Sequence, residues 1–178
     1  MTLWLKYAEM EMRNKFVQSA RNVWERACKH MPRVEQFWYK YALMEEMLGE
    51  MEAVRRIFDD WMTWQPSEFA WNAYLKFEQR QGDLDKCRII LEKFIDVNPI
   101  PSSFVKAANF EEHQRNHARA RAYYERALVE LGKRAFNESF FISFTKFEIR
   151  MHELERAKIL YEYALANLPK EFTKGLNE

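Results

Sequence analysis

Cysteine, glycine and proline are all scarce in this chain of 178 residues, which contains two, four and five of them respectively. The two cysteines, Cys28 and Cys87, fall in non-adjacent parts of the pattern described below. A disulfide between them is not expected, which suits a reducing compartment. A strong charge of either sign is missing too: 28 Lys and Arg against 27 Asp and Glu leave a formal net charge of +1. That balance exerts no general pull toward nucleic acid. No apolar run approaches the roughly 20 residues of a membrane span, and the first residues lack the basic and apolar regions of a signal peptide. What remains is 48% hydrophobic and 31% charged, a globular rather than a disordered composition.

The chain does have repetition. An aromatic residue is followed three later by a second aromatic and four later again by glutamate. The word appears as Trp4-Tyr7-Glu11, Trp38-Tyr41-Glu45, Trp71-Tyr74-Glu78, Phe104-Ala107-Glu111 and Phe141-Phe144-Glu148. Nine residues after each glutamate comes a small or β-branched residue and then a cation: Arg21, Arg55, Arg88, Arg121 and Lys158. Three residues beyond the cation stand Trp24, Phe58, Leu91, Tyr124 and Tyr161, each followed by an acid. A period in this range signals stacked helical hairpins, none able to bury its apolar face alone. Pro32, Pro66, Pro99, Pro101 and Pro169 fall between units, where helices should stop, and Gly132 takes the proline slot of the fourth. Gly49 and Gly82 lie inside units, where a hairpin must turn, and Asn14, Asn116 and His152 are expected to turn the others. Ser67, Ser102 and Asn137 sit where first helices should start. Ten helices in five units are predicted, with approximate bounds 2–33, 35–66, 68–100, 102–134 and 138–170 within a single array, 1–178. The array looks cut from a longer one, since Phe172 and Leu176 in the tail could open a further helix.

Positions i, i+3 and i+7 share one helical stripe, so each glutamate should lie among residues destined for burial. An unpaired carboxylate there costs several kcal/mol, roughly, or takes up a proton. The recurring cation of the second word is the expected partner, within the same hairpin or from its neighbour, and Arg55 with Glu45 is one pair to examine. The second word follows the i, i+3, i+4, i+7 stripe of a core-facing helix, as Ala20, Val23, Trp24 and Ala27 illustrate. Trp61 and Phe94 replace the last small residue in units two and three and should fill space or spread the helices. In unit four Phe104 and Ala107 replace Trp and Tyr, so looser packing or compensation from a neighbour is expected. The junction from Gly132 to Phe136 carries extra residues and reads as a bend or docking point.

The pattern W-x2-Y-x3-E followed by A-R-x2-[WYF]-E-R-A and a terminal proline resembles that of half-a-TPR (HAT) repeats. Residues 20–27 and 120–127 match it nearly in full. The runs Leu3–Glu11, Pro32–Val34, Gln36–Tyr41, Met44–Gly49 and Trp61–Pro66 resemble more specifically the crooked neck family of pre-mRNA splicing factors. That resemblance implies an all-α, right-handed alpha-alpha superhelix (solenoid) of about five HAT helix-turn-helix repeats. It also implies a nuclear, non-catalytic scaffold of the spliceosome, associated with the nineteen complex and binding other splicing factors. No catalytic residue, cofactor, metal, membrane or small-molecule substrate is implied. A HAT scaffold in mRNA 3′-end or rRNA processing is the alternative, and an ordinary tetratricopeptide clamp would lack both words.

Sharper chemistry finds little support in the residues. His113 and His117 are four apart but straddle the turn at Asn116, and no cysteine lies near in sequence for a zinc site. His30 and His152 fall at helix ends, where they can meet backbone carbonyls. No serine or cysteine has a partnered histidine at a recognisable spacing, and glutamates repeated five times point to packing rather than catalysis. The more serious rival is direct contact with snRNA or pre-mRNA. Arg115, Arg119, Lys133 and Arg134 are basic and outside the repeat words, and arginine interleaved with Tyr123 and Tyr124 can bind single strands by charge and stacking. These four residues are the candidate RNA or partner contacts.

Overall fold

The computed structural model describes residues 2–132 and 136–167. Within them lie ten α-helices and no strand: α1 (Thr2–Arg13), α2 (Val17–His30), α3 (Glu35–Met47), α4 (Met51–Met62), α5 (Glu68–Gln81), α6 (Leu84–Val97), α7 (Pro101–His113), α8 (His117–Glu130), α9 (Glu138–Arg150) and α10 (Leu154–Asn167). The protein is all-α. Pro169, Phe172 and Leu176 lie outside the described residues.

Two compact units divide the chain, Met1–Leu84 and Asp85–Glu178. In the first, α1 packs on α2 and α3 on α4 as antiparallel hairpins, α2 meets α3, and α5 lies against both α3 and α4. In the second, α7 with α8 and α9 with α10 form hairpins, and α7 packs along α9. The core is continuous with the repeat words. Ala20, Val23, Trp24 and Ala27 are all buried, as are Val54, Phe58, Cys87, Leu91, Ala120 and Tyr124 at equivalent slots.

Each first helix ends in the same way, and the glutamate sets the register. Counting four residues on from the glutamate gives Lys15, Gly49, Gly82, Arg115 and His152, and all five have positive φ, between 58° and 80°. The next backbone N–H donates to the glutamate's own carbonyl: Phe16 to Glu11, Glu50 to Glu45, Asp83 to Glu78, Asn116 to Glu111 and Glu153 to Glu148. The positive-φ residue itself donates to the residue after the glutamate, as Gly49 does to Glu46 and Arg115 to Glu112. Together these bonds make a Schellman turn, which satisfies carbonyls that a helix end leaves open. Asn14 and Asn116 each lie at their turn, as expected, and adjoin its left-handed residue without adopting that conformation. Lys15 and Arg115 take that conformation, while Asn116 caps α8 by accepting from the Arg119 N–H.

Other starts follow side-chain caps. Ser67 accepts from the Phe69 N–H and Asn137 from that of Phe140. Ser102 does not cap α7, because Pro101 begins that helix instead of separating it from its predecessor. Proline suits this first position, since its missing N–H has no helical partner there and its φ is already helical. The Ser103 hydroxyl donates to the Asn98 carbonyl at 2.7 Å and fixes the entry.

The irregular slots are filled. Trp61 and Phe94 are buried, and Trp61 stacks on Phe58 with centroids 5.9 Å apart. Phe104 and Ala107 are fully buried, so the fourth repeat is not loose. The junction after α8 is described only at its ends, where Phe136 packs on Phe140 and Phe141 at 4.8 and 5.5 Å. One expected burial fails: Tyr7 is 45% exposed. The equivalent Tyr41 is covered by α2 of the hairpin before it, where its hydroxyl meets Glu25.

The turn geometry yields a test. A Cβ added at Gly82 meets nothing within 4 Å, so Gly82→Ala incurs only the backbone cost of the left-handed conformation. The expected loss is about 1 kcal/mol, read from the denaturant midpoint. No loss would show that this turn does not hold α5.

Candidate interaction surface

Four of the five glutamates are 0 or 1% exposed: Glu45, Glu78, Glu111 and Glu148. Each receives a fork of two hydrogen bonds from the arginine of the preceding second helix. Arg21 Nε and Nη2 both donate to Glu45 at 2.8 Å. Arg55 grips Glu78 at 2.8 and 3.1 Å, Arg88 grips Glu111 at 2.7 and 3.3 Å, and Arg121 grips Glu148 at 2.9 and 2.7 Å. Planar two-point pairing is what guanidinium offers a carboxylate and what lysine cannot. The hydrogen bond to the carboxylate raises the pKa of each arginine above its ordinary value. The cation of one hairpin thus serves the first helix of the next. Arg55 and Glu45, in the same hairpin, are not partners. Glu11 and Lys158 have no such ion pair among the described residues.

A stacked ring accompanies the fork. Phe58 lies on Tyr74 at 4.7 Å and 3°, and Tyr124 on Phe144 at 4.5 Å and 5°. In each case the bulky residue of the second word meets the second aromatic of the following first word. The tyrosine hydroxyl then reaches the acid next to that bulky residue: Tyr41 to Glu25 at 3.2 Å and Tyr74 to Asp59 at 3.3 Å. Ala107 cannot do this for Glu92. Tyr123, from α8, donates its hydroxyl to Glu92 at 2.7 Å in its place. Arg55 and Arg121 also lie over Phe77 and Phe147.

A second set of links joins first helices directly, and the repeat words did not reveal it. Arg80 forks onto Glu46 at 2.9 and 2.8 Å, and Arg150 onto Glu112 at 2.6 and 2.8 Å. The signal was available: the acid directly follows one repeat glutamate, and the arginine stands two past the next. Glu35 likewise accepts from the N–H and hydroxyl of Ser67, tying α3 to the start of α5.

The four candidate contact residues do not form one described cluster. Lys133 and Arg134 lie outside the described residues. Arg115 is exposed but is a repeat position after all, the left-handed residue of its turn. Arg119 is exposed on the first turn of α8 and has no ion-pair partner among the described residues. It lines a groove of about 350 Å³ with Arg88, Glu92, Glu111, Tyr123 and Arg126. His113 ends α7 and His117 begins α8, and no group of three metal-ligating side chains occurs among the described residues. His30 ends α2 and faces the Trp4 ring at 6.3 Å. Cys28 and Cys87 are buried thiols, not joined in a disulfide.

Tandem helical hairpins joined by these forks define a helical-repeat protein. Residues 1–177 match the family model described as Pre-mRNA-splicing factor Syf1/CRNKL1 C-terminal HAT repeat. The chain belongs to this crooked neck family of HAT-repeat proteins. It is 41% identical over 212 aligned residues to Pre-mRNA-splicing factor clf-1 of Neurospora crassa, covering 98% of this chain and 30% of that relative. It is 46% identical over 55 residues to Pre-mRNA-splicing factor cwf4 of Schizosaccharomyces pombe, covering 31% of this chain and 8% of that one. The chain therefore spans less than a third of the length of these relatives. Among solved structures, a thermophilic TPR protein of Thermus thermophilus is 18% identical with a TM-score of 0.48, covering 99% of this chain and 94% of that one. MamA protein is 12% identical with a TM-score of 0.49, covering 93% and 90%.

Two measurements test the links. Arg55→Ala strands a fully buried Glu78 carboxylate and should cost about 3–5 kcal/mol, whereas Arg55→Met with Glu78→Leu should recover most of that loss. An Arg55→Ala protein of unchanged stability would exclude the fork. The second measurement is alkaline. Burial, reinforced by nearby acids, raises the pKa of Tyr41 and Tyr74, and it pushes Tyr124 and Cys28 up to about 12. The folded form therefore binds more protons than the unfolded chain once pH passes about 8.5–10, where free thiols and phenols ionise. Their stabilisation is complete below that range and is lost as pH climbs toward the folded values. Denaturant midpoints should fall between pH 9 and pH 11 (about the span of those ionisations), and a rising midpoint would contradict this.

Proposed function

We propose that this chain is part of a nuclear, non-catalytic scaffold that works in pre-mRNA splicing, associates with the nineteen complex, and binds other splicing factors through its HAT repeats. The observation that carries this reading is kinship along nearly the whole chain with a pre-mRNA-splicing factor, together with the repeat-by-repeat forks. Those forks engage four repeat arginines and four of the five repeat glutamates internally. They hold helices in fixed register and leave side chains between the words for partners. Extended arrays bind in this way, by displaying residues from several repeats to one segment. Arg115 and Arg119, both exposed, favour a second reading in which the same surface touches snRNA or pre-mRNA.

Crosslinking mass spectrometry of the full-length protein in its native nuclear assembly tests the scaffold role. Crosslinks from these repeats to nineteen-complex proteins are expected, and a set drawn from mRNA 3′-end or rRNA-processing factors would overturn the splicing assignment. RNA contact predicts binding that weakens steeply with salt and is abolished by Arg115→Glu with Arg119→Glu. Salt-insensitive or absent binding removes it.

A further inference from the structure

The groove beside Arg119 owes its character to one substitution in the repeat. In the following hairpin the equivalent arginine, Arg156, bonds Glu125 and approaches Glu148 to 3.6 Å. The residues corresponding to those acids around Arg119 are Glu92 and Glu111, and both line the groove. Neither is open to it. Glu111 is held by Arg88, and the two oxygens of Glu92 are taken by the Tyr123 hydroxyl and by Arg126 at 2.7 and 2.6 Å. Tyr123 stands where Ala107 has left the usual tyrosine missing, so the aromatic that rescues Glu92 also displaces Arg119 from it. A guanidinium is left facing the groove without an acid among the described residues.

The geometry points to this groove as a docking site for a protein segment that places one carboxylate on Arg119 and an apolar side chain against Ala122 and the Tyr123 ring. The charges fit one such group. Of the three arginines lining the groove, Arg88 is paired with Glu111 and Asp85 and Arg126 with Glu92 and Glu130, which leaves Arg119 as the lining cation with no acid bonded to it among the described residues. A cleft of about 350 Å³ is near the small end of ligand sites, suited to one or two side chains rather than a folded element. Single-stranded RNA fits less well. Its stacking needs an open ring face, but Tyr123 is partly buried and its hydroxyl is tied to Glu92. This inference deepens the scaffold reading and rests on it, adding the chemistry of one partner contact.

The test is selection of a phage-displayed short-peptide library against the full chain, with and without excess oligouridylate. Enriched peptides should carry Asp or Glu beside Leu, Phe or Tyr. Arg119→Gln should weaken them by about ten- to a hundredfold, the cost of a hydrogen bond to a charged group. Selection against Arg119→Glu should instead enrich Lys or Arg at the same place, provided circular dichroism shows helicity unchanged. Enrichment without acids, binders indifferent to Arg119→Gln, or displacement of the peptides by oligouridylate would each overturn the proposal. None of those results bears on crosslinks to splicing factors through other repeats, so the two readings fail separately.

Discussion

A carboxylate buried at the last turn of a helix is the constraint on which the rest of this protein depends. At that position the glutamate is penalised twice, once by loss of water and once by the negative end of the helix dipole. Its own carbonyl meanwhile accepts the bond that closes the turn. The arrangement persists because an arginine arrives from the preceding hairpin in two-point geometry, and at Arg55 and Arg121 its guanidinium also lies over a phenylalanine ring. One residue therefore fixes where a helix ends, how the chain reverses, and which helix must lie alongside. Hairpins that meet these conditions cannot slide against one another without stranding a charge.

The apolar contacts follow that register. The stacked rings of Phe58 on Tyr74 and Tyr124 on Phe144 lie at the same joints as the forks, so polar and apolar terms specify one arrangement rather than competing. The fourth repeat shows how the scheme absorbs change. When Ala107 withdraws a hydroxyl from Glu92, Tyr123 supplies one from another helix. The joint survives, and its surface chemistry alters. This kind of substitution separates a repeat that only packs from one that also offers an unoccupied arginine.

Much of this was legible in the residues, with clear limits. Periodicity places glutamate on the buried face and predicts that a cation must reach it. It does not say from which helix, because a cation in the same hairpin and one in the previous hairpin have equally regular offsets. Only packing decides, and it chose Arg21 rather than Arg55 for Glu45. The turns expected at Asn14 and Asn116 do occur there, but residue type alone does not place the left-handed conformation on the lysine or arginine beside them. A fixed count of four from the glutamate finds Lys15 and Arg115 as readily as Gly49 and Gly82. Arg115 lies outside both words and joins the repeat only through that count. Pro101 falls between units, where a stop is expected, yet proline equally suits a first helical turn and begins α7. The forks from Arg80 and Arg150 were hidden because they occur in only some repeats, outside both words.

The most direct measurement of the central claim is a pair of double-mutant cycles, one on Arg21 with Glu45 and one on Arg55 with Glu45. Coupling of about 2 kcal/mol is expected for the first, and additivity within about 0.5 kcal/mol for the second. The reverse pattern, or no coupling in either, would contradict an account in which each hairpin is locked to the next through its buried glutamate.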